Sequence, residues 1–302
     1  MLAIIIPFYK LTFFEATLQS LANQTDKRFK VYIGDDASPE DCSSLLKQFD
    51  EAFDFIYHRF NDNLGGASLI QQWERCIALS KNEEWLMILG DDDVLGDNVV
   101  ENWYQEYSRF NKLTNVVRFA SQLMNEVGAV ISNVYLHPQW ELASDSFYRK
   151  FKRISRSSLS EYIFTRESYT RFGFKEYPLA WNSDDTAWLE FSNGLPIYSI
   201  NSSIISVRIS KLNISGTNEN DFYKNKSQIK FYKFLFNSEF RRFESKQQVE
   251  LMKAFVKELV KFKSLTFQGL AFIIFICLRF YNPEYVYMGK KLIFKKIKKI
   301  FK

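Results

Sequence analysis

Up to about residue 95, the chain alternates short apolar runs with segments of helical periodicity. Such an alternation predicts repeated βα units that form a mostly parallel sheet with right-handed crossovers. Strands are predicted at Leu2–Pro7, Phe29–Gly34, Asp54–His58 and Trp85–Leu89, and helices near Phe13–Asn23, Cys42–Phe49 and Ala67–Ser80. The fold class is therefore α/β with a Rossmann-like sheet flanked by helices, and ligands are expected beyond the carboxyl ends of its strands.

Carboxylates and glycines follow three of those strands. Asp35-Asp36 follows the second strand, Asn61–Gly66 the third and Asp91-Asp92-Asp93 the fourth. Three adjacent carboxylates raise one another's pKa unless a cation neutralises them, whereas the alternative is a solvated acidic turn before a helix. With only two histidines in the chain, a metal would be held by carboxylates, which favours Mg²⁺ or Mn²⁺.

Charge and cysteine content exclude several classes of protein. The net charge is +5, yet Lys290–Lys302 holds seven lysines and no acid, so the remainder carries a net charge of about −2. A basic nucleic-acid groove across the body is therefore not expected. Three widely spaced cysteines without a C-x-x-C pair argue against a disulfide framework and favour a reducing, cytoplasmic compartment. The apolar run directly after Met1 predicts a buried strand rather than a signal peptide.

Taken in order, four segments resemble the family 2 glycosyltransferases of the GT-A fold. They are Ile4–Tyr9, Val31–Ser38 with a D-D-x-S turn, Asn61–Gly66, and Trp85–Asp93 with a D-x-D pattern. The resemblance covers about residues 1–100. It implies a metal-dependent, inverting enzyme that transfers a sugar from a nucleotide donor.

The resemblance also implies roles for individual residues. Asp36 would accept a hydrogen bond from N3–H of a uracil or thymine base, and Asp91 would contact ribose or sugar. Asp93 would bind Mn²⁺ or Mg²⁺. The other residues that it places around the donor are Pro7, Tyr9, Asn63 and Asp92.

Two downstream positions are also candidates. Asn182–Trp188 is similar to the family's acceptor-side acidic motif, which makes Asp185 the general base for the acceptor hydroxyl, with Asp184 as the rival and a helix N-cap as the structural alternative. Many GT-A enzymes provide a late histidine to the metal or phosphates. Here Val207–Ser210 contains none, and Arg208 either pairs with diphosphate oxygens or is a surface residue.

Beyond residue 100 the pattern is weaker. It predicts strands at Asn115–Ser121, Ala129–Leu136 and Ile197–Val207, a helix over Ser183–Phe191, a loop over Ser210–Asn220 and helices between Tyr223 and Phe262. The expected domains are a catalytic domain, residues 1–222, with a nucleotide-binding half (1–100) and an acceptor-side half (101–222), and a helical C-terminal extension, residues 223–302.

The end of the chain suggests attachment to a membrane surface. The apolar run Leu270–Leu278 is too short to span a bilayer. Met288–Lys302 has apolar residues near one helical face and lysines elsewhere, which is typical of an interfacial helix on an anionic leaflet, although a solvated basic tail is the alternative. We therefore expect a peripheral protein on the inner face of the cell membrane.

The sequence thus predicts a hexosyltransferase that uses a nucleotide-sugar donor, expected to be UDP-linked, and acts on a hydroxyl of a glycan or polyprenyl-linked glycan in surface-polysaccharide synthesis. A sugar nucleotidyltransferase is one alternative, but Pro7–Lys10 lacks the Gly-rich loop that it needs. An inactive, membrane-attached glycan-binding protein is the other.

Overall fold

The computed structural model describes residues 1–211, 221–261 and 267–280. Two compact units divide the chain, Met1–Asn220 and Asp221–Lys302. None of the helices in the three described ranges has the length and hydropathy that a membrane span requires.

The first unit is built on a sheet whose amino-terminal part is parallel. Its strands are β1 (Leu2–Phe8), β2 (Phe29–Asp35), β3 (Phe55–Arg59) and β4 (Trp85–Ile88), in the spatial order β3-β2-β1-β4. The helices between them are α1 (Phe14–Ala22), α2 (Ser43–Leu46) and α3 (Leu69–Ile77). Because β1 pairs with strands on both sides and lies in the core, its apolar run is fully buried.

Strands of mixed direction extend this sheet on the far side of β4. They are β5 (Val94–Leu95), β6 (Val116–Met124), β7 (Trp140–Leu142), β8 (Tyr162–Thr165) and β9 (Pro196–Arg208). Strand β8 is antiparallel to both β4 and β6, whereas β6 and β9 form a long parallel pair. Since Ile163 pairs with Met87, the residues just before β8 lie at the carboxyl end of β4. The helices of this half are α4 (Val99–Phe110), α5 (Ala143–Phe151), α6 (Arg166–Phe172) and α7 (Ser183–Phe191).

This architecture confirms the predicted Rossmann-like α/β sheet with flanking helices. One predicted strand is wrong. Ala129–Leu136 pairs with β6 through isolated bridges, Ser121 with Tyr135 and Met124 with Val130, and not as a continuous ladder, because its aliphatic side chains are exposed instead of buried in a layer. The helix predicted over Cys42–Phe49 is also shorter, since α2 gives way to a 3₁₀ turn at Lys47.

The second unit is helical in its described residues. It contains α8 (Asp221–Phe234), α9 (Ser245–Lys261) and α10 (Phe267–Arg279). A π-helical turn over Leu235–Glu239 and a 3₁₀ turn over Phe240–Arg242 interrupt the helical region predicted from Tyr223 to Phe262. The loop predicted for Ser210–Asn220 lies outside the described residues from 212 onward, and the basic amphipathic helix predicted for Met288–Lys302 lies outside them entirely.

Candidate active site

The acidic turn Asp91–Asp93 begins two residues after β4 and is tied to the end of β1. The backbone N–H groups of Tyr9 and Lys10 both donate to Asp91 Oδ2 over 2.9 Å. This contact joins two strand ends that are more than 80 residues apart in sequence. It therefore places the loop after β1 directly beside the acidic turn.

Asp93 is buried and is held from both sides. Ser160, which precedes β8, donates its hydroxyl to Asp93 Oδ2, and the backbone N–H of Arg208 donates to Oδ1 over 2.9 Å. Ser160 Oγ also accepts a hydrogen bond from the backbone N–H of Gly90. The antiparallel position of β8 thus fixes the orientation of this carboxylate.

The positive charges of Lys10, Arg156 and Arg208 act on the three carboxylates but do not offset the effect of burial. Burial raises the pKa of Asp91 and of Asp93. Burial, together with the charges of Asp93 and Asp91, raises the pKa of Asp92 to about 8. A cation placed here would lower all three pKa values and so be stabilised by the turn.

The donor atoms of the turn fit a hard divalent cation, since all are carboxylate oxygens. Each oxygen of Asp93 has one protein donor and keeps a second lone pair for a metal. Within the ranges that the structure describes, however, no three His, Cys, Asp or Glu side chains are arranged to hold a metal by themselves. A metal bound at the turn would therefore need further ligands from outside these side chains.

Arg208 is buried and not a surface residue. Its guanidinium donates to the backbone carbonyl oxygens of Asp92, Asn125 and Glu126 over 2.9 to 3.1 Å, and it lies 4.5 Å from the ring centroid of Phe13. In this conformation the side chain braces the acidic turn. Its charge lowers the pKa of Asp92.

Asp36 lies at the end of β2 in a pocket built by the next loop. Its carboxylate accepts hydrogen bonds from the backbone N–H groups of Leu64 and Gly65, over 2.8 to 3.2 Å, and from the guanidinium of Arg75. A Cβ atom on Gly65 would lie 2.5 Å from Asp36 Oδ2, so only glycine permits this close approach without displacing the carboxylate.

Arg75 is a component of this pocket that the sequence interpretation missed. Its guanidinium is stacked 3.9 Å from the ring centroid of Phe60 and bonds Asp62 as well as Asp36. The position of Arg75 in α3, the helix after Gly65-Gly66, could have indicated this role, because the helix directs the Arg75 side chain back toward β2. Because the guanidinium is planar, a flat base can stack on it as the Phe60 ring does.

The remaining candidates around this pocket are distributed as follows. Pro7 and Tyr9 are half-buried at the end of β1, and the carbonyl of Tyr9 accepts a hydrogen bond from Ser38. Asn63 is exposed and caps the loop by accepting a hydrogen bond from Gly66 N–H over 2.7 Å. Asp35, by contrast, is fully buried and bonded to Tyr57, Arg59 and Ser38, which gives it a structural role in the turn.

The second acidic pair occupies the first turn of α7. Asp185 is buried, with Oδ1 at 2.6 Å from the ammonium of Lys150 and Oδ2 at 2.9 Å from the amide of Asn182. Asn182 has a left-handed backbone with φ of 67° and no side-chain capping bond. Both oxygens of Asp185 are therefore committed to protein donors.

Asp184 is partly exposed. Desolvation raises the pKa of Asp184 to about 6. The charge of Lys150 acts against this shift, and the charge of Asp185 adds to it. Glu161 raises the pKa of Asp184 and also that of Asp93, so both groups lie in the field of one carboxylate. Tyr162, the next residue, is stacked on Trp188 of α7 at 4.1 Å between ring centroids. This contact packs α7 against β8, the strand that follows Ser160, the residue that bonds Asp93.

Comparison with known families decides what kind of protein has this geometry. The family described as Glycosyl transferase family 2 matches residues 3–177, which is more than half of the chain. The chain belongs to glycosyl transferase family 2. The predicted family is thereby confirmed, and the matched residues include Asp36, Arg75 and the acidic turn.

Solved structures agree with this family at the level of the fold. Residues 1–349 of TarS from S. aureus, in complex with UDP-GlcNAc, give a TM-score of 0.63 at 13% identity, covering 86% of this chain and 73% of that one. A further S. aureus TarS crystal structure gives 0.61 at 14% identity, covering 89% and 44%. No curated protein sequence matches the chain. The likeness confirms the GT-A architecture of this family 2 glycosyltransferase.

Proposed function

We propose that this family 2 glycosyltransferase transfers a sugar from a UDP-linked donor to a hydroxyl of a glycan or lipid-linked glycan, with inversion at the anomeric carbon. The observation that carries the proposal is that a pocket suited to a base and a turn of carboxylates lie at the same edge of the sheet. Asp36, Arg75 and Phe60 form a pocket suited to a base, and the loop after β1 separates it from a turn of carboxylates. The S. aureus protein of similar fold was crystallised with UDP-GlcNAc, which supports a uridine nucleotide.

In the base pocket, Asp36 Oδ2 keeps a lone pair for N3–H of uracil because, among the residues that the structure describes, Gly65 N–H is its one donor. Pro7 and Tyr9, at the end of the neighbouring strand, flank the base, and Asn63 supports the loop on its other side. Asp91 contacts ribose or sugar. The same carboxylate fastens the β1 loop, so donor binding and loop position are coupled.

At the acidic turn, Asp93, with Asp91 and Asp92, would hold Mn²⁺ or Mg²⁺. When bound, such an ion stabilises the negative charge that develops on the departing nucleoside diphosphate. Arg208 holds the turn by its carbonyl contacts. Its cationic charge also adds to the field that a diphosphate would meet.

On the acceptor side, Asp184 is the group best suited to take the proton from the attacking hydroxyl. A general base works best with a pKa near the operating pH, and that of Asp184 is raised to about 6. Asp185 is the second candidate, but its ion pair with Lys150 and its bond from Asn182 occupy it. Asp185 and Lys150 then position the start of α7.

We further propose that residues 1–222 form the catalytic domain and residues 223–302 a membrane-associating extension. The support is the basic, amphipathic sequence of Met288–Lys302. A polyprenyl-linked acceptor would be presented at such a surface. The protein would then lie peripherally on the inner face of the cell membrane.

The base pocket gives the first test. Asp36→Ala is expected to weaken UDP binding by about 10- to 150-fold, because it removes one hydrogen bond to the base and leaves Arg75 without its buried partner. Isothermal titration with UDP measures the change. Asp62→Ala is the matched control, since Asp62 also bonds Arg75 but is exposed, and it should alter UDP affinity only slightly. Equal affinities of wild type and Asp36→Ala would rule out the role of Asp36.

Donor hydrolysis separates transfer from mere recognition. The wild-type protein is expected to release UDP slowly from its cognate UDP-sugar in the absence of acceptor, and an inactive glycan-binding protein would release none. A screen of UDP-sugars for thermal stabilisation in the presence of Mn²⁺ identifies the donor to use.

A further inference from the structure

Residues 127–136, which we call the apolar segment, connect β6 to the region before β7 and contain no charged side chain. Their large aliphatic side chains are exposed, Val127 by 86%. The exposed members are Val127, Val130, Ile131, Val134 and Leu136. Soluble monomers rarely expose so many aliphatic side chains together unless the surface meets a partner.

The apolar segment is fixed in place by its backbone. Ile131 N–H donates to the carbonyl of Leu123 over 2.8 Å, and Tyr135 exchanges two hydrogen bonds with Ser121 of β6. Ser132 Oγ accepts a further hydrogen bond from Leu123 N–H. The aliphatic side chains are thus presented on a backbone that β6 supports, rather than on an unsupported loop.

Basic residues occur in the part of the chain that contacts the end of the apolar segment. Arg149, in the last turn of α5, approaches the carbonyl of Leu136 at 3.5 Å. The chain then continues to Lys152, Arg153 and Ile154, all three exposed. Arg149 is paired with Glu141, Lys150 with Asp185 and Arg156 with Glu161.

The apolar segment also begins next to the candidate active site. Arg208 donates to the carbonyls of Asn125 and Glu126, the two residues before the segment, and its backbone N–H donates to Asp93. The carboxylate of Glu126 accepts a hydrogen bond from Lys211 N–H over 3.0 Å. A surface that engaged residues 127–136 would therefore lie close to the acidic turn.

We propose that the apolar segment, together with Lys152–Ile154, docks onto an anionic lipid bilayer. Exposed aliphatic side chains flanked by basic ones complement the acyl boundary and the negative headgroups of such a surface. Protein interfaces are instead enriched in aromatic residues, and the exposed members of the segment are aliphatic. This docking does not depend on the transfer reaction or on the basic end of the chain, and it would place the acidic turn near the bilayer surface.

The test uses a fluorescent reporter on the full-length protein. Cys42, Cys76 and Cys277 are all buried, so a cysteine introduced by Val127→Cys can be labelled selectively with an environment-sensitive dye. The matched control is Glu51→Cys, exposed just before β3, the strand at the other edge of the sheet. Vesicles of phosphatidylcholine alone and of phosphatidylcholine with phosphatidylglycerol are the probes.

We expect a blue shift and brighter emission at position 127 with the anionic vesicles only, weakened by added salt, and no change at position 51. The double variant Val130→Asp with Ile131→Asp should lower vesicle partitioning by about tenfold or more. Lys152→Gln with Arg153→Gln should also lower it, whereas Lys47→Gln with Lys81→Gln, at exposed positions elsewhere on the unit, should lower it less.

Three results would overturn the proposal. The first is unchanged emission at position 127 while the protein sediments with the vesicles, which would assign attachment to another part of the chain. The second is an equal shift at positions 51 and 127. The third is a shift at position 127 that grows with protein concentration in the absence of vesicles, since this would show that the surface meets a second copy of the chain.

Discussion

Asp184→Asn is expected to lower kcat by roughly 10²- to 10⁴-fold, the range for loss of a general base. The amide is close to the carboxylate in size but cannot accept the proton of the attacking hydroxyl. UDP affinity should change little, because the donor pocket is built from the loops that follow β1, β2 and β3. Steady-state transfer to a short soluble acceptor, beside UDP titration, measures the two effects.

The pH profile gives the same prediction a second measurement. Asp184 must be ionised to act, and its pKa is raised to about 6. The rate of the wild-type protein should therefore be constant above pH 6 and fall about tenfold per pH unit below it. Asp184→Asn should lose this acidic limb.

Asp185→Asn is the matched variant. It leaves Asp184 intact and weakens the ion pair with Lys150, so we expect a smaller loss in kcat that is accompanied by lower thermal stability. If Asp185→Asn causes the larger loss and removes the acidic limb, the two roles are reversed. If neither change lowers kcat, the base lies elsewhere.

Sequence patterns predicted the parts of the fold that depend on local order. The apolar run of β1 and the carboxylates after β2 and β4 can be placed from sequence because carboxyl ends of parallel strands meet at one edge. The predicted strand Ala129–Leu136 has the composition of a strand. It is not one, because isolated bridges and not a continuous ladder pair it with β6, and strand preference depends on such pairing more than on composition.

Long-range contacts account for what sequence could not predict. Ser160 bonds Asp93 across 67 positions of sequence, and no spacing signals that a serine before β8 orients a carboxylate after β4. Arg208 was open to two interpretations, a contact with diphosphate oxygens or a surface position, and the structure excludes the surface position because the guanidinium is buried against Phe13 and the Asn125 carbonyl. Arg75 was missed because a single arginine on a helix has no pattern of its own.

Asp93→Asn is expected to lower kcat by roughly 10²- to 10³-fold, since it removes a negative charge from the place where we propose that a divalent ion meets the diphosphate. The substitution is mild for the fold. The asparagine carbonyl can still accept the backbone N–H of Arg208, and the Ser160 hydroxyl can accept from the new amide instead of donating to the carboxylate. A large loss of activity with an unchanged melting temperature would therefore report chemistry and not unfolding.

Binding of Mn²⁺ gives a measurement that is independent of turnover. Electron paramagnetic resonance of Mn²⁺ in the presence of UDP should show weaker binding to Asp93→Asn than to the wild-type protein. Ser160→Ala is the control, because it removes the hydroxyl that orients Asp93 but keeps the charge, and its Mn²⁺ affinity should fall less. Turnover of Asp93→Asn that matches the wild type at saturating Mn²⁺ would exclude Asp93 as a ligand. Because each oxygen of Asp93 already accepts one protein hydrogen bond, weak Mn²⁺ binding by the wild-type protein without UDP is the expected companion result, since in the proposed site the turn would supply only part of the coordination and the diphosphate would supply the rest.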